Sequence, residues 1–298
     1  MSQLSRRDFL KGSMAAGILA GTSALPLPAA AAKRSATDWV TLGNSGIKVT
    51  RLACGTGTFG GKVQRELGQE QFTRLVRHAY DRGIRFFETA EAYTGMHEML
   101  ATALKGIPRD SYRLMTKYRL RGTDDPKVTI DRFRRELNSE YFDILLLHCV
   151  RTPNWAEQFK GLRDAFSEAK QKKIILAHGA SCHGLLPLRA FPENTNWLDV
   201  ALLRINHQGT RMDTLKQMDT DDLGDVNEVV GHIKAIRAKG TGIIGMKIMG
   251  EGQFKTAEQR DDSVKFVMNL PAVDAVTIGY KSPAEIDEAI ERINTHLN

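Results

Sequence analysis

Eight short apolar runs alternating with helical patterns constrain this chain more than any other feature. The runs lie near 50–55, 84–87, 112–116, 143–147, 174–178, 198–203, 242–248 and 273–278. Helical patterns fall between or after them at 69–81, 128–137, 155–169, 226–238 and 284–293. In the first of these, Phe72, Leu75, Val76 and Ala79 recur at three- and four-residue spacing, so one face is apolar. Strand–helix alternation implies a parallel sheet, because a parallel neighbour is reached only by a crossover. A chain of 298 residues, 42% hydrophobic, can bury one sizeable core, and eight such units fit a closed (β/α)8 TIM barrel. Trp39–Leu42 and Ile47–Thr50, joined across Gly43-Asn44-Ser45-Gly46, read as an N-terminal β-hairpin plugging the amino end of that barrel. The alternative is an open doubly wound sheet, which usually shows G-x-G-x-x-G running into a helix. Gly55-Thr56-Gly57-Thr58-Phe59-Gly60-Gly61 is glycine-rich, but no helix start follows directly, so it reads as a loop over the rim.

Four polar residues stand just after apolar runs: Glu88 and Tyr93 after Gly83–Phe87, Lys117 after Tyr112–Thr116, and His148 after Asp143–Leu147. In a barrel, all four emerge at the carboxyl rim, where barrel enzymes do their chemistry. A cation beside a phenol is expected to lower its pKa from about 10 and make it a better proton donor. Lys117 is placed to be that cation, Glu88 to hold Lys117, and His148 to bond the substrate oxygen. A tuned tyrosine suits protonation of an alkoxide as it forms, and an alkoxide forms when hydride reaches a carbonyl carbon. No side chain delivers hydride, so this chemistry needs a cofactor. Taken singly, each residue has a plainer reading, such as a strand-end ion pair, a packing tyrosine or a bonded core histidine.

Residues 1–32 do not read as part of the fold. Ser5-Arg6-Arg7-Asp8-Phe9-Leu10-Lys11 precedes a weakly apolar stretch from Met14 to Leu25, then Pro26 and Ala29–Ala32. This order closely resembles a twin-arginine signal, with cleavage expected after Ala30 to Ala32 and the barrel occupying 33–298. The apolar part is too short and too rich in Gly and Ala to span a membrane. The resemblance implies the twin-arginine export machinery as a partner and a periplasmic or secreted destination. A folded exported chain is cut off from soluble nicotinamide, so a cofactor of that kind is expected to be tightly held. The formal charge is +7, of which the signal carries a net +2. Acids interleave the bases throughout, so no nucleic-acid face is expected. Cys54, Cys149 and Cys182 are too few for a disulfide framework and show no C-x-x-C spacing, and each reads as a small buried filler.

The segment Arg82-Gly83-Ile84-Arg85-Phe86-Phe87-Glu88-Thr89-Ala90-Glu91-Ala92-Tyr93 resembles the aldo-keto reductase signature. The similarity continues through Met115-Thr116-Lys117, Asp143–His148, Gly179-Ala180-Ser181, Gly245-Met246-Lys247 and Ile278-Gly279, and covers nearly all of 33–298. It implies a nicotinamide cofactor (NADP or NAD), a small carbonyl or sugar substrate, and Tyr93 as acid supported by Lys117, His148 and Glu88. Ser181, Cys182, Asn206, Lys247, Lys281 and Ser282 are the implied cofactor-binding residues. The chain departs from the family in having Glu88 for aspartate, Cys182 for the asparagine after the serine and Leu202 for the glutamine of the sixth barrel strand. Ile205 replaces a ring-stacking aromatic, and Glu285 stands where an arginine often meets the 2′-phosphate of NADP, a change that leans towards NAD.

Two rival classes follow from the same residues. The departures fit a catalytically impaired binding protein that keeps the pocket. His178, His183 and His207 near strand ends raise a metal-dependent hydrolase, but their spacing is loose and no metal is expected. Specificity is expected in the rim loops 150–155 and 208–223, with Trp155, Met212 and Met218 as packing residues or pocket lining.

Overall fold

The computed structural model describes residues 33–120, 125–216 and 221–297. The signal segment and Met218 lie outside the described residues. Two short strands, β1 (Trp39–Thr41) and β2 (Lys48–Thr50), pair antiparallel as the expected hairpin. Eight parallel strands then close into a barrel: β3 (Leu52–Gly55), β4 (Phe86–Glu88), β5 (Arg113–Arg119), β6 (Phe142–Val150), β7 (Ile175–Cys182), β8 (Val200–Arg204), β9 (Gly242–Met246) and β10 (Ala275–Gly279). Each pairs with its successor, and β10 returns to β3.

Two apolar cores separate by strand face, as a two-residue period demands. Inward residues Ala53, Phe86, Met115, Ile144, Ala177, Val200, Ile244 and Ala275 fill the barrel, and Leu42 and Val49 of the hairpin join them. The hairpin is thus a plug: its apolar face replaces water at the open amino end. Outward residues such as Phe87, Leu145, Leu147 and Leu203 pack under the surrounding helices. Helix Gly68–Asp81 seats Phe72, Leu75, Val76 and Ala79 there, and full burial of a Phe, Leu or Val side chain contributes roughly 1.5–3 kcal/mol.

Two expectations change. A helix does start directly after the glycine-rich loop, at Lys62–Glu66, with Gly61 at its N-cap in a left-handed conformation (φ 83°). It is anchored by Gln64, whose Nε2 donates to the Tyr280 carbonyl at 3.0 Å, a long-range bond that local pattern cannot show. The polar residues also do not all follow their strands. Lys117 and His148 lie inside β5 and β6, and Glu88 is the last residue of β4. A strand can continue through a polar inward residue where a partner satisfies it, as Glu88 does for Lys117. Among the described residues no helix is long and apolar enough to cross a membrane.

Candidate active site

A cavity of about 1050 Å³ opens at the carboxyl rim, and Glu88, Tyr93, Lys117 and His148 all line it. The loop after β4 delivers the tyrosine. Tyr93 N–H donates to Ala90 O (3.0 Å), Met96 N–H donates to Tyr93 O (2.9 Å), and Glu91 N–H reaches across to Lys117 O (3.1 Å). The last bond ties the loop to β5 beside the ammonium group. Lys117 spends its three donors on the Glu88 carboxylate, on Thr89 O at 2.9 Å and on the Tyr93 hydroxyl at 3.1 Å. The His148 ring stands edge-on to Tyr93, centroids 5.5 Å apart at 87°.

Glu88 carries one methylene more than the family's aspartate and still reaches Lys117. The room comes from Gly55, where a Cβ would stand 2.9 Å from Glu88 Oε2 and 2.7 Å from Thr277 Oγ1. Thr277 donates to Glu88 Oε2 at 3.3 Å, so β10 fixes the far oxygen of the longer acid. A second glycine guards the phenol: a Cβ at Gly57 would lie 2.5 Å from the Tyr93 hydroxyl.

The electrostatics correct one expectation. Burial, reinforced by the Glu88 carboxylate, holds the Tyr93 phenol well above its ordinary value. Lys117 does not pull it down, because the paired Glu88 neutralises the ammonium and a buried phenolate loses its hydration. Burial lowers Lys117 itself, with Glu88 opposing that shift. Burial first, then the charges of Lys117, His183, Arg151 and Arg119, push His148 well below its ordinary value, leaving a neutral imidazole near neutrality. The site therefore holds a neutral phenol and a neutral imidazole beside a buried ion pair, an arrangement able to protonate an oxyanion.

The other residues singled out in the sequence are distributed unevenly. Ser181 lines the cavity, and its Oγ accepts from Cys149 N–H at 2.7 Å. Lys247 lines it too, on a left-handed backbone (φ 64°) and paired with Glu251. Lys281 lines it, with its N–H donating to the Glu285 carboxylate at 2.8 Å. Cys182, Asn206 and Ser282 are not among the lining residues. Cys182 is buried against Gly184 O at 3.4 Å. Asn206 is buried and braces its own loop, donating to Thr210 O at 2.7 Å and Lys247 O at 3.2 Å. Ser282 caps helix Pro283–His296. Leu202 lines the cavity, whereas Ile205 is buried away from it.

His178 stacks on Trp197 and His207 packs against Phe254, while His183 lines the cavity. Trp155 and Met212 are core residues. Cys54 and Cys182 are buried as expected, but Cys149 is half-exposed, lines the cavity and has a left-handed backbone (φ 67°). Sequence reasoning passed over Arg119 and Glu251, which also line it, whereas Phe59 and Arg151 fall in the rim loops 55–61 and 150–155 expected there. Arg119 was legible in principle, since two residues beyond Lys117 lies on the same strand face. Phe59 (φ 49°) and Glu251 (φ 55°) are left-handed like Cys149 and Lys247. Non-glycine residues in that region cost about 1–3 kcal/mol each and gather at functional sites.

Comparison with known proteins gives the family and the fold. The model of the Aldo/keto reductase family matches residues 51–298, and that of the TAT (twin-arginine translocation) pathway signal sequence matches residues 3–23. The Probable aldo-keto reductase 1 of Glycine max is 28% identical over 170 residues, 51% of this chain and 49% of that protein. The L-galactose dehydrogenase of Arabidopsis thaliana is 34% identical over 120 residues, 37% of this chain and 37% of that protein. The chain matches about half or less of the length of these curated relatives. Among solved structures, one named "Putative aldo-keto reductase from Pseudomona aeruginosa" superposes with TM-score 0.71 at 19% identity, covering 89% of this chain and 97% of that one. The aldo-keto reductase AKR11C1 from Bacillus halodurans (holo form) gives 0.68 at 17%, covering 87% and 95%. At such identities the likeness speaks for the fold alone.

Proposed function

Since the chain belongs to the aldo/keto reductase family and carries a twin-arginine signal that directs it to the periplasm or beyond, we propose that it is an exported NAD(P)-dependent oxidoreductase acting on an aldehyde, ketone or sugar carbonyl. The observation that carries this reading is the Tyr93 hydroxyl 3.1 Å from Lys117 Nζ inside the rim cavity. The family generally uses NADP(H), and a bound nicotinamide supplies the hydride. The donor set suits a dinucleotide: Lys247 and Lys281 line the cavity and can meet phosphates, and Ser181 lines it as well. Glu251, Glu285 and Glu288 line the cavity on the side of β9 and β10, paired there with Lys247, Lys281 and Arg260. Glu285, standing where an arginine often meets a 2′-phosphate, is the feature that leans towards NAD.

A carbonyl oxygen seated between the Tyr93 hydroxyl and the His148 ring takes its proton from Tyr93 as negative charge develops on it. Lys117 steadies the phenolate left behind, and Glu88 and Thr89 keep Lys117 aimed. Because Tyr93 keeps its proton well above the ordinary phenol value, carbonyl reduction should stay undiminished as pH rises through neutrality, and any alkaline loss should begin with Lys117, whose ammonium burial makes easier to discharge. A kcat/KM profile already falling at about pH 6 to 7 would contradict this assignment of the acid.

Titration of the mature protein with NAD and NADP tests the cofactor, with tighter binding of NAD expected. Export makes a tightly held nicotinamide the natural arrangement, one that cycles between two substrates and copurifies with the protein. Protein lacking affinity for either nucleotide would instead fit the binding-protein alternative. The Gly57→Ala variant pushes a methyl group onto the phenol. Since about 1 Å of misplacement can cost 10²-fold in rate, turnover should fall on that order with melting temperature nearly unchanged.

A further inference from the structure

We propose that the substrate carries an acid group besides its carbonyl, held by an arc of basic side chains that β5, β6 and β7 raise one layer above the catalytic residues. The inference rests on the reductase reading and names the substrate class of that same site.

The arc follows from strand period. Residues two apart share a face, so the inward position above Lys117 is Arg119, above Ser181 is His183, and above Leu202 is Arg204. In β6 the register shifts between Leu147 and Val150, with Cys149 left-handed, and the basic residue that lines the cavity there is Arg151. Arg119, Arg151 and His183 all line the cavity. Arg119 pairs in register with His148, so a guanidinium rises beside the imidazole at the seat proposed above for the carbonyl oxygen.

Arg204 lies behind the arc, buried, 3.7 Å from Asp213 and donating to His183 Nδ1. A guanidinium only donates, so Nδ1 of His183 accepts and its proton sits on Nε2. Arg151 Nε contacts Cys149 Sγ at 3.1 Å. The lining carboxylates stand elsewhere. Glu88 is committed to Lys117, while Glu251, Glu285 and Glu288 follow β9 and β10 across the ring. The side assigned to the nucleotide thus mixes these acids with Lys247, Lys255, Arg260 and Lys281, which also line it, whereas on the side left for substrate Glu88, committed to Lys117, is the one lining acid among the described residues. Arginine forks suit carboxylates and phosphates alike. A hydride acceptor that is uncharged would not need them.

Matched substrates test this: butanal against the four-carbon aldehyde with a terminal carboxylate, and glucose against glucuronate and glucose 6-phosphate. The acid-bearing partner should be favoured about 10–100-fold in kcat/KM, the range of a charge-assisted hydrogen bond. The preference should shrink with added salt and collapse in R119M and R151M. Preference for glucuronate assigns a carboxylate, and for glucose 6-phosphate a phosphate. Turnover of uncharged carbonyls without preference for their acid analogues overturns the proposal. Calorimetric titration with glucuronate and with glucose keeps it testable if nothing turns over, which would instead fail the reductase reading. Binding of glucuronate, weakened about tenfold or more by R119M, supports the arc, and equal or absent binding of both sugars overturns it.

Discussion

Replacing Tyr93 by phenylalanine should lower carbonyl reduction by about 10²–10⁴-fold, the range that a positioned general acid contributes. The substitution removes one oxygen and little else. The edge-on contact with His148, at 5.5 Å and 87°, belongs to the ring and survives. Lys117 keeps its bonds to Glu88 and to Thr89 O, so its charge stays paired. The backbone bonds that seat the loop do not involve the hydroxyl. Nucleotide affinity and melting temperature should therefore stay close to those of the parent, and single-turnover reduction should carry the whole loss. A Tyr93→Phe protein reducing carbonyls at the parental rate would remove the tyrosine from the chemistry and leave His148 as the proton source. The loss should not be repaired at low pH, because phenylalanine has no proton to regain.

The parts of this site written into the sequence are those fixed by strand period. An apolar run that ends on Glu88, or passes through Lys117 or His148, places its polar residue on the barrel's inner face whatever the loops do. The hairpin was equally legible, since Gly43-Asn44-Ser45-Gly46 marks a turn between two short strands. What stayed hidden depends on contacts between distant segments. The helix Lys62–Glu66 is anchored by Gln64 on Tyr280, more than two hundred positions away. Asn206 looks like a free amide until Thr210 O and Lys247 O are seen to take its donors. Cys149 reads as a filler because the left-handed turn that lifts it to the cavity has no local signature. The direction of the Tyr93 shift was misjudged for a related reason. Proximity to a lysine can be inferred from order along the chain, but the burial that outweighs it is a property of the assembled barrel.

Lys117→Met should damage stability as well as activity, and the two can be separated. Lys117 and Glu88 are only 2% and 4% exposed, so the pair is buried together. Removing one member of a buried ion pair leaves an uncompensated charge and typically costs about 3–5 kcal/mol, which in a domain of this size shifts the melting temperature by roughly 10 °C. Thr277, at 3.3 Å, is the remaining side-chain donor to Glu88 among the described residues and offers a neutral hydroxyl in place of an ammonium. The double variant Lys117→Met with Glu88→Leu removes both charges and should recover most of the stability while recovering no turnover. Such a split is the signature of a pair retained for its chemistry. If the single variant melted like the parent, solvent would have to reach Glu88, and the enclosed ion pair on which the proton-transfer geometry depends would not exist.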